Sequence, residues 1–320
     1  MTEPDSHARP PTARYPDHPR EEVIERSIDR IVREGLPRLE RLWPDMLSTG
    51  IVAGIEVAFG VLALLVVEHE TGSGALAGLA FSLGFIALRL GHSELFTEGF
   101  LVPVTVVAAG EARLRHLLKL WGWTLVGNLA GGWVMMVIIA VAFPDLHATA
   151  VTLGSFYVDH AIGPESLSRA ILAGAAITMM TRMHNGSDSE MAKLMASVAT
   201  GFLLVGARLF HSILDSLLAF GALATGHAGF GYLDWLGWLG WAILGNVIGG
   251  LALTTFLRLV RSRARLIDHR VANDLPPLPA AARWIGRRAR RGGGTGGELT
   301  RRRRARRESP RPARRCGAPG

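Results

Sequence analysis

Arg89-Leu90-Gly91-His92-Ser93-Glu94-Leu95-Phe96-Thr97-Glu98 is a polar block set inside apolar sequence, and it has a partner in Arg208-Leu209-Phe210-His211-Ser212-Ile213-Leu214-Asp215. The shared pattern Arg-Leu-x-His-Ser-x-Leu recurs at a displacement of 119 residues. Each copy follows an uncharged, mostly apolar run of equal length, Ala75 to Leu88 and Leu194 to Ala207.

Composition decides the solvent in which these blocks sit. The chain has 320 residues, of which 49% are hydrophobic. Leu120 to Phe143 is a run of 24 residues without a charge, and Leu236 to Leu257 is another of 22. Both exceed the roughly 18 to 20 residues that span a bilayer core, so they read as membrane spans. The positive charge is local. Arg261 to Gly320 holds 18 of the 35 Lys and Arg but 4 of the 27 acids, leaving the first 260 residues net negative. The single Cys316 lies in that tail, which excludes a disulfide framework or a multi-thiolate metal site within one chain. The polar, acid-containing N-terminus does not have the pattern of a cleaved signal peptide.

Along the chain, Met1 to Arg20 has almost nothing to bury and is expected to be disordered. Ile24, Ile28, Ile31, Val32, Leu36, Leu39 and Leu42 then form one apolar stripe, predicting an amphipathic helix over 21–43 that either caps the domain or lies at the membrane surface. Spans follow at about Met46 to Val67, at Ala75 to Gly110 through the first polar block, and at Leu120 to Phe143. Three more follow at about Arg169 to Thr181, at Leu194 to Leu223 through the second block, and on to Arg261. Glu56 is the only charge of the first span and is expected to hydrogen-bond a neighbouring helix. The loops 68–74, 144–168 and 224–234 carry no Lys or Arg, whereas the intervening ones do. The positive-inside rule then places both termini in the cytoplasm, with the Arg-rich residues 262–320 as a disordered cytoplasmic tail.

A second duplication ties the halves together: Trp123-Thr124-Leu125-Val126-Gly127-Asn128-Leu129-Ala130-Gly131-Gly132 matches Trp241-Ala242-Ile243-Leu244-Gly245-Asn246-Val247-Ile248-Gly249-Gly250. A repeat of three spans forces its second copy to be inverted in the membrane. The fold expected is therefore an all-α polytopic membrane protein over 44–261. It has six transmembrane helices as a 3+3 inverted repeat with broken second and fifth helices. Non-helical backbone cannot face lipid, so the breaks mark a path through protein. The N-termini of the half-helices, with free N–H groups, favour an anion there. Arg89 and Arg208 either add to that attraction or pair with Glu94, Glu98 or Asp215 as structural clips.

Ser93-Glu94-Leu95-Phe96-Thr97, Phe210-His211-Ser212 and Gly245-Asn246-Val247-Ile248-Gly249-Gly250 resemble the motifs of the formate/nitrite transporter family, over roughly Pro44 to Arg261. The resemblance implies an aquaporin-like protomer in a homopentamer of the bacterial cytoplasmic (inner) membrane. Each protomer would carry small monovalent anions such as formate or nitrite. It also implies roles: His211 as the central pore histidine, Thr97 as the threonine of the loop in the second span, Asn246 as the asparagine of the sixth span, and Phe96 and Leu204 at apolar constrictions, with Leu95 a further candidate pore residue. Arg208, Arg89 and Glu94 join the candidate pore and substrate-binding residues. Four positions depart from the family pattern: Arg208 where many members have Gly, Phe210 for Glu, Asp215 for Asn, and Gly174 for a polar Asn.

A histidine between two constrictions suggests a mechanism. A hydrated anion is expensive to bring into such a slot and its neutral acid is not. His211 is thus expected to hydrogen-bond the anion or hand it a proton in transit; His92, the sequence mate of His211, is expected to be structural. No cofactor and no enzymatic activity are called for. The alternatives are an aquaporin-like neutral-solute channel, which lacks its paired Asn-Pro-Ala motifs here, and an intramembrane metalloenzyme built on His69, His92, Glu94 and His211. The tail is expected on anionic lipid headgroups rather than on a specific nucleic acid.

Overall fold

The computed structural model describes residues 19–261, and every regular element in that range is helical. The N-terminal 18 residues and the Arg-rich tail with Cys316, whose disorder and lipid binding the sequence suggests, lie outside the described residues.

Helix α1 (Pro19–Glu40) continues through Pro37 and is separated from α2 (Trp43–Thr71) by Arg41 and Leu42. Helix α3 (Gly74–Gly91) ends in a non-helical stretch, then a 3-10 turn (Phe96–Phe100) and α4 (Val102–Ala109). Helix α5 (Leu114–Ala142) is followed by α6 (His147–Val158), α7 (Pro164–Gly186) and α8 (Glu190–Gly206). After a second non-helical stretch come α9 (Leu214–Ala224) and α10 (Tyr232–Ile248), which runs through a π-helical segment (Gly249–Phe256) into α11 (Leu257–Arg261). Two expectations need correction. Residues 144–168, read as a loop, contain α6, and the fourth apolar segment, read as about Arg169 to Thr181, is the middle of a 23-residue helix. Pro164 at its first turn and the reciprocal bonds between Gly163 and Ser166 start α7 well before its apolar stretch.

Among the described residues four helices are long and apolar enough to cross a membrane: Trp43–Thr71, Gly74–Gly91, Leu114–Ala142 and Tyr232–Ala252. Their outward faces carry bare apolar side chains, among them Phe59, Val66, Val134, Ile138 and Val141, the kind of surface that faces lipid or another copy of the chain. Helix α1 is a cap on the bundle. Gly35 sits against Val102 and Val106 of α4, and Leu39 packs with Met46, Val106, Leu117 and Leu120.

The two interruptions are built alike. Ser73 and Ser189 cap the starts of α3 and α8, accepting the N–H of Leu76 and Ala192. His92 and Arg208 end those helices in the left-handed region, at φ 55° and 49°, the only non-glycine residues with positive φ among those described. Ser93 N–H then donates to Leu88 O, as Leu209 N–H does to Leu204 O. Two asparagines hold the released backbone. Asn128 Oδ1 accepts Phe96 N–H at 2.8 Å, and its Nδ2 donates to Gly50 O and Glu94 O. Asn246 Oδ1 accepts Ser212 N–H at 2.9 Å, and its Nδ2 donates to Ala170 O and Phe210 O.

Equivalent bonds in the two interruptions are therefore 116 residues apart, not the 119 of the sequence pattern. The geometric mate of His211 is Leu95, and that of Arg208 is His92. The sequence pattern was displaced by three residues, close to one helical turn, the distance at which an apolar helix looks most like itself.

Close helix approach explains one of the four departures. At Gly174 of α7 a Cβ would run into the backbone carbonyl of Asn246, and at Gly54 of α2 into that of Asn128. Position 174 has no room for a side chain, polar or otherwise.

Asn128→Ala and Asn246→Ala should each leave two buried non-helical backbone groups unpaired, Phe96 N–H and Glu94 O or Ser212 N–H and Phe210 O, at about 1–3 kcal/mol per group. Both variants should lower the melting temperature in detergent far more than exposed substitutions such as Leu233→Ala; a melting temperature unchanged in both would remove the clamps as the device that holds the interruptions. Gly174→Asn, which imposes a side chain on the α7–α10 contact, should destabilise the fold by about 1–3 kcal/mol or more.

Candidate functional site

The two non-helical stretches meet at one pair of side chains. Thr97, in the 3-10 turn after α3, and His211, just before α9, are both fully buried, with Oγ1 and Nε2 2.9 Å apart. The backbone assigns the imidazole protons. Leu214 N–H donates to Nδ1 at 3.1 Å, so Nδ1 is the acceptor and Nε2 carries the hydrogen, which it donates to Thr97 Oγ1. The Thr97 hydroxyl hydrogen is left to be given to something else. Asp215 holds the loop: its Oδ2 accepts His211 N–H at 2.7 Å and its own N–H donates to His211 O.

This arrangement corrects one expectation. Most of the donors at the start of α9 are not free for an anion: the N–H groups of His211, Ser212, Leu214 and Asp215 are consumed by the chain itself. In addition, the Asp215 carboxyl stands in the first turn of α9, with one oxygen on the His211 N–H.

Apolar groups close the pair in on both sides. Leu95, Phe96 and Leu204 are buried. Phe96 packs edge-on to Phe100 at 5.2 Å, and Phe100 to Trp121 at 5.3 Å, while Trp121 Nε1 donates to Gly99 O. On the other side Phe210 lies 5.4 Å from Tyr157 and 6.3 Å from Trp238. An aromatic ring thus occupies the place of the expected Glu.

Toward α1 the structure opens into a cavity of about 470 Å³, whose walls include Arg38, Arg41, Arg89, Glu94, Glu98 and Lys193. Glu94 is almost fully buried, and its Oε1 receives both Arg38 Nε at 2.8 Å and Arg41 Nη1 at 3.0 Å. Two guanidinium groups thus share one carboxylate oxygen, in a cavity that Glu34, Glu98 and Asp188 also line. Arg89 pairs with Glu190 at 3.2 Å. Arg208, at the opposite end, is exposed and lies with its guanidinium carbon 4.7 Å over the Phe156 ring. The expected clips of Arg89 or Arg208 on Glu94, Glu98 or Asp215 are therefore replaced by other partners. Glu56 meets Ser93 in the first interruption, in line with a structural hydrogen bond. His92 ends α3 through its backbone, with its side chain exposed at the cavity.

His69, His92, Glu94 and His211 do not assemble; among the described residues no group of three His, Cys, Asp or Glu is placed to hold a metal ion. Sequence reasoning missed Asn128, although its position in the duplicated Trp123–Gly132 stretch opposite Asn246 was the signal for it. Tyr157 and Trp238, and the two α1 arginines on Glu94, carried no sequence signal. Tyr157 lies in the segment taken for a loop, and arginines on the polar face of an amphipathic helix resemble a solvated surface.

The chain matches the family model described as formate/nitrite transporter over residues 25–260. It is 24% identical over 248 residues to the inner membrane protein YfdC of Escherichia coli (strain K12), covering 74% of this chain and 77% of that protein. Among solved structures it resembles a pentameric formate channel with formate bound, with a TM-score of 0.54 and 21% identity over 65% of this chain and 92% of that one. It also resembles an FNT family ion channel, with a TM-score of 0.60 and 17% identity over 73% and 96%. At these identities the two structures attest the fold. With the family model covering most of its length, the chain belongs to the formate/nitrite transporter family.

Proposed function

We propose that this protein is a channel for small monovalent anions of weak acids, formate and nitrite among them, which cross together with a proton. The observation that carries this reading is the buried Thr97–His211 pair at the meeting of the two helix interruptions, flanked by apolar groups on both sides. The same reading has six crossings as two inverted sets of three, with α3–α4 and α8–α9 the broken ones. Five copies form a ring in the bacterial inner membrane, and the α1 cavity faces the cytoplasm with both termini. The related inner membrane protein and the pentameric channel support that placement.

The anion enters by the α1 cavity, where Arg38 and Arg41 share the Glu94 carboxylate and can turn toward it. It then meets Leu95 and Phe96, which strip its water and disfavour its charge, with Leu204 on the far side near Arg208. At the midpoint the Thr97 hydroxyl and the His211 Nε2–H replace the lost hydration with hydrogen bonds. Their mutual bond holds them aimed in advance, so little reorganisation is needed when the ion arrives. Beyond it the Phe210, Tyr157 and Trp238 rings form the second constriction, and Arg208 on Phe156 offers a charge at that mouth.

Proteoliposomes tested against formate, nitrite, acetate, lactate and hydrosulfide should show flux for at least one of them. Permeation of urea, glycerol or water without any anion flux would instead make this a neutral-solute channel. His211→Phe removes one hydrogen bond to a charged group, about 1.5–3 kcal/mol, so flux should fall roughly tenfold or more while the oligomer elutes unchanged. Flux equal to the parent would remove His211 from the path. Arg208→Gln deletes one exposed charge worth about 0.5 kcal/mol at ~8 Å in water. The expected result is a two- to threefold loss of uptake at low anion concentration that vanishes in high salt; unchanged uptake would reduce Arg208 to packing on Phe156.

A further inference from the structure

The hydrogen bonds around His211 leave it no vacant place for a second proton. Nδ1 already accepts the Leu214 N–H, so a proton there would point at another N–H; Nε2 already holds its own, directed at Thr97. Four residues on, Asp215 is arranged the opposite way. Its side chain is fully buried, Oδ2 accepts His211 N–H, and Oδ1 has no partner at all. The Ser212 hydroxyl beside it in the chain is likewise buried without a partner. In a dry interior a lone carboxylate oxygen without a donor is costly, whereas a carboxyl O–H is a proton ready for an arriving acceptor.

The ionisable groups facing Asp215 are His211 on its own strand of chain and the Tyr157 phenol of α6. The charged groups on that side, Arg208, Arg169 of α7 and Glu68 of α2, act on Tyr157. No ion pair joins Asp215 among the described residues.

Building on the weak-acid reading above, we propose that Asp215, and not His211, is the proton-exchanging group of the path. As a carboxylate-type anion reaches Thr97 and His211, the O–H bond at Asp215 Oδ1 breaks and the proton bonds to an oxygen of the anion. The neutral acid moves past Phe210, and the Asp215 carboxylate takes a proton back from a hydronium ion entering from the α1 cavity, the side from which the anion came, leaving water, so that one anion and one proton cross together. Donor and acceptor are the same functional group, so neither holds the proton strongly and the exchange runs in both directions. The change from the family's Asn to Asp at this position thus keeps the acceptor for His211 N–H and adds a transferable proton.

Asp215→Asn separates the two roles, since the amide oxygen still accepts His211 N–H but has no acidic proton. Parent, Asp215→Asn, Asp215→Glu and His211→Gln are reconstituted in liposomes with an internal pH dye and a membrane-potential dye, with formate as probe. The parent should carry formate electroneutrally with internal acidification. Asp215→Asn should lose the acidification tenfold or more, or convert the flux into an electrical one, while Asp215→Glu restores part of the coupling. His211→Gln should be slower but still coupled. Infrared spectra of the same membranes should contain a protonated-carboxyl carbonyl band that Asp215→Asn removes. Unchanged coupling in Asp215→Asn, loss of coupling confined to His211→Gln, or identical carboxyl bands in parent and Asp215→Asn would each overturn the proposal. A parent without formate flux but with the Asp215 band would sink formate transport and leave the proton on Asp215 standing.

Discussion

Backbone hydrogen bonding is the constraint on which the rest of this structure depends. A helix interrupted inside an apolar bundle releases N–H and C=O groups that cost several kcal/mol each if nothing pairs them. Here one asparagine per interruption takes one donor and two acceptors, reaching across from α5 or α10 to the helix beside it and to the break. Each clamp requires its two helices to lie almost in backbone contact, which is why Gly54 and Gly174 face Asn128 and Asn246. Everything at the centre, including the alignment of Thr97 on His211, is registered by those six hydrogen bonds.

Charge is distributed unevenly around that centre. One carboxylate oxygen of Glu94 is shared by two arginines of α1, so the N-terminal helix is tied electrostatically to the first interruption as well as packed on α4. A buried carboxylate of this kind is tolerated because it is doubly paired, and losing either arginine would leave a charge poorly compensated. At the other end Arg208 rests on an aromatic ring, a contact that keeps a cation in place without neutralising it.

Much of the fold was legible in the chain. The long uncharged runs announced membrane helices, and the polar blocks at Arg89 and Arg208 marked where two of them stop being helical. The recurrence of Asn128 and Asn246 in like surroundings carried the clamps. What misled was the register. Arg89-Leu90 and Arg208-Leu209 align by letter, yet the helix ends are set by which residue can turn left-handed, and those are His92 and Arg208. Helix α6 was hidden because its alternation of small, polar and apolar residues has no stripe to detect. The pairing of His211 with Thr97 joins residues 114 apart in sequence, a distance that no local pattern encodes.

The occupation of four backbone donors at the start of α9, those of His211, Ser212, Leu214 and Asp215, has a consequence for throughput. Sites that hold an anion with several main-chain N–H groups are deep wells, and a deep well empties slowly. On the proposed path the midpoint offers one hydroxyl and one ring N–H instead. Such a shallow station favours brief residence over tight capture, the behaviour of a conduit that equalises abundant metabolites rather than a scavenger that concentrates scarce ones.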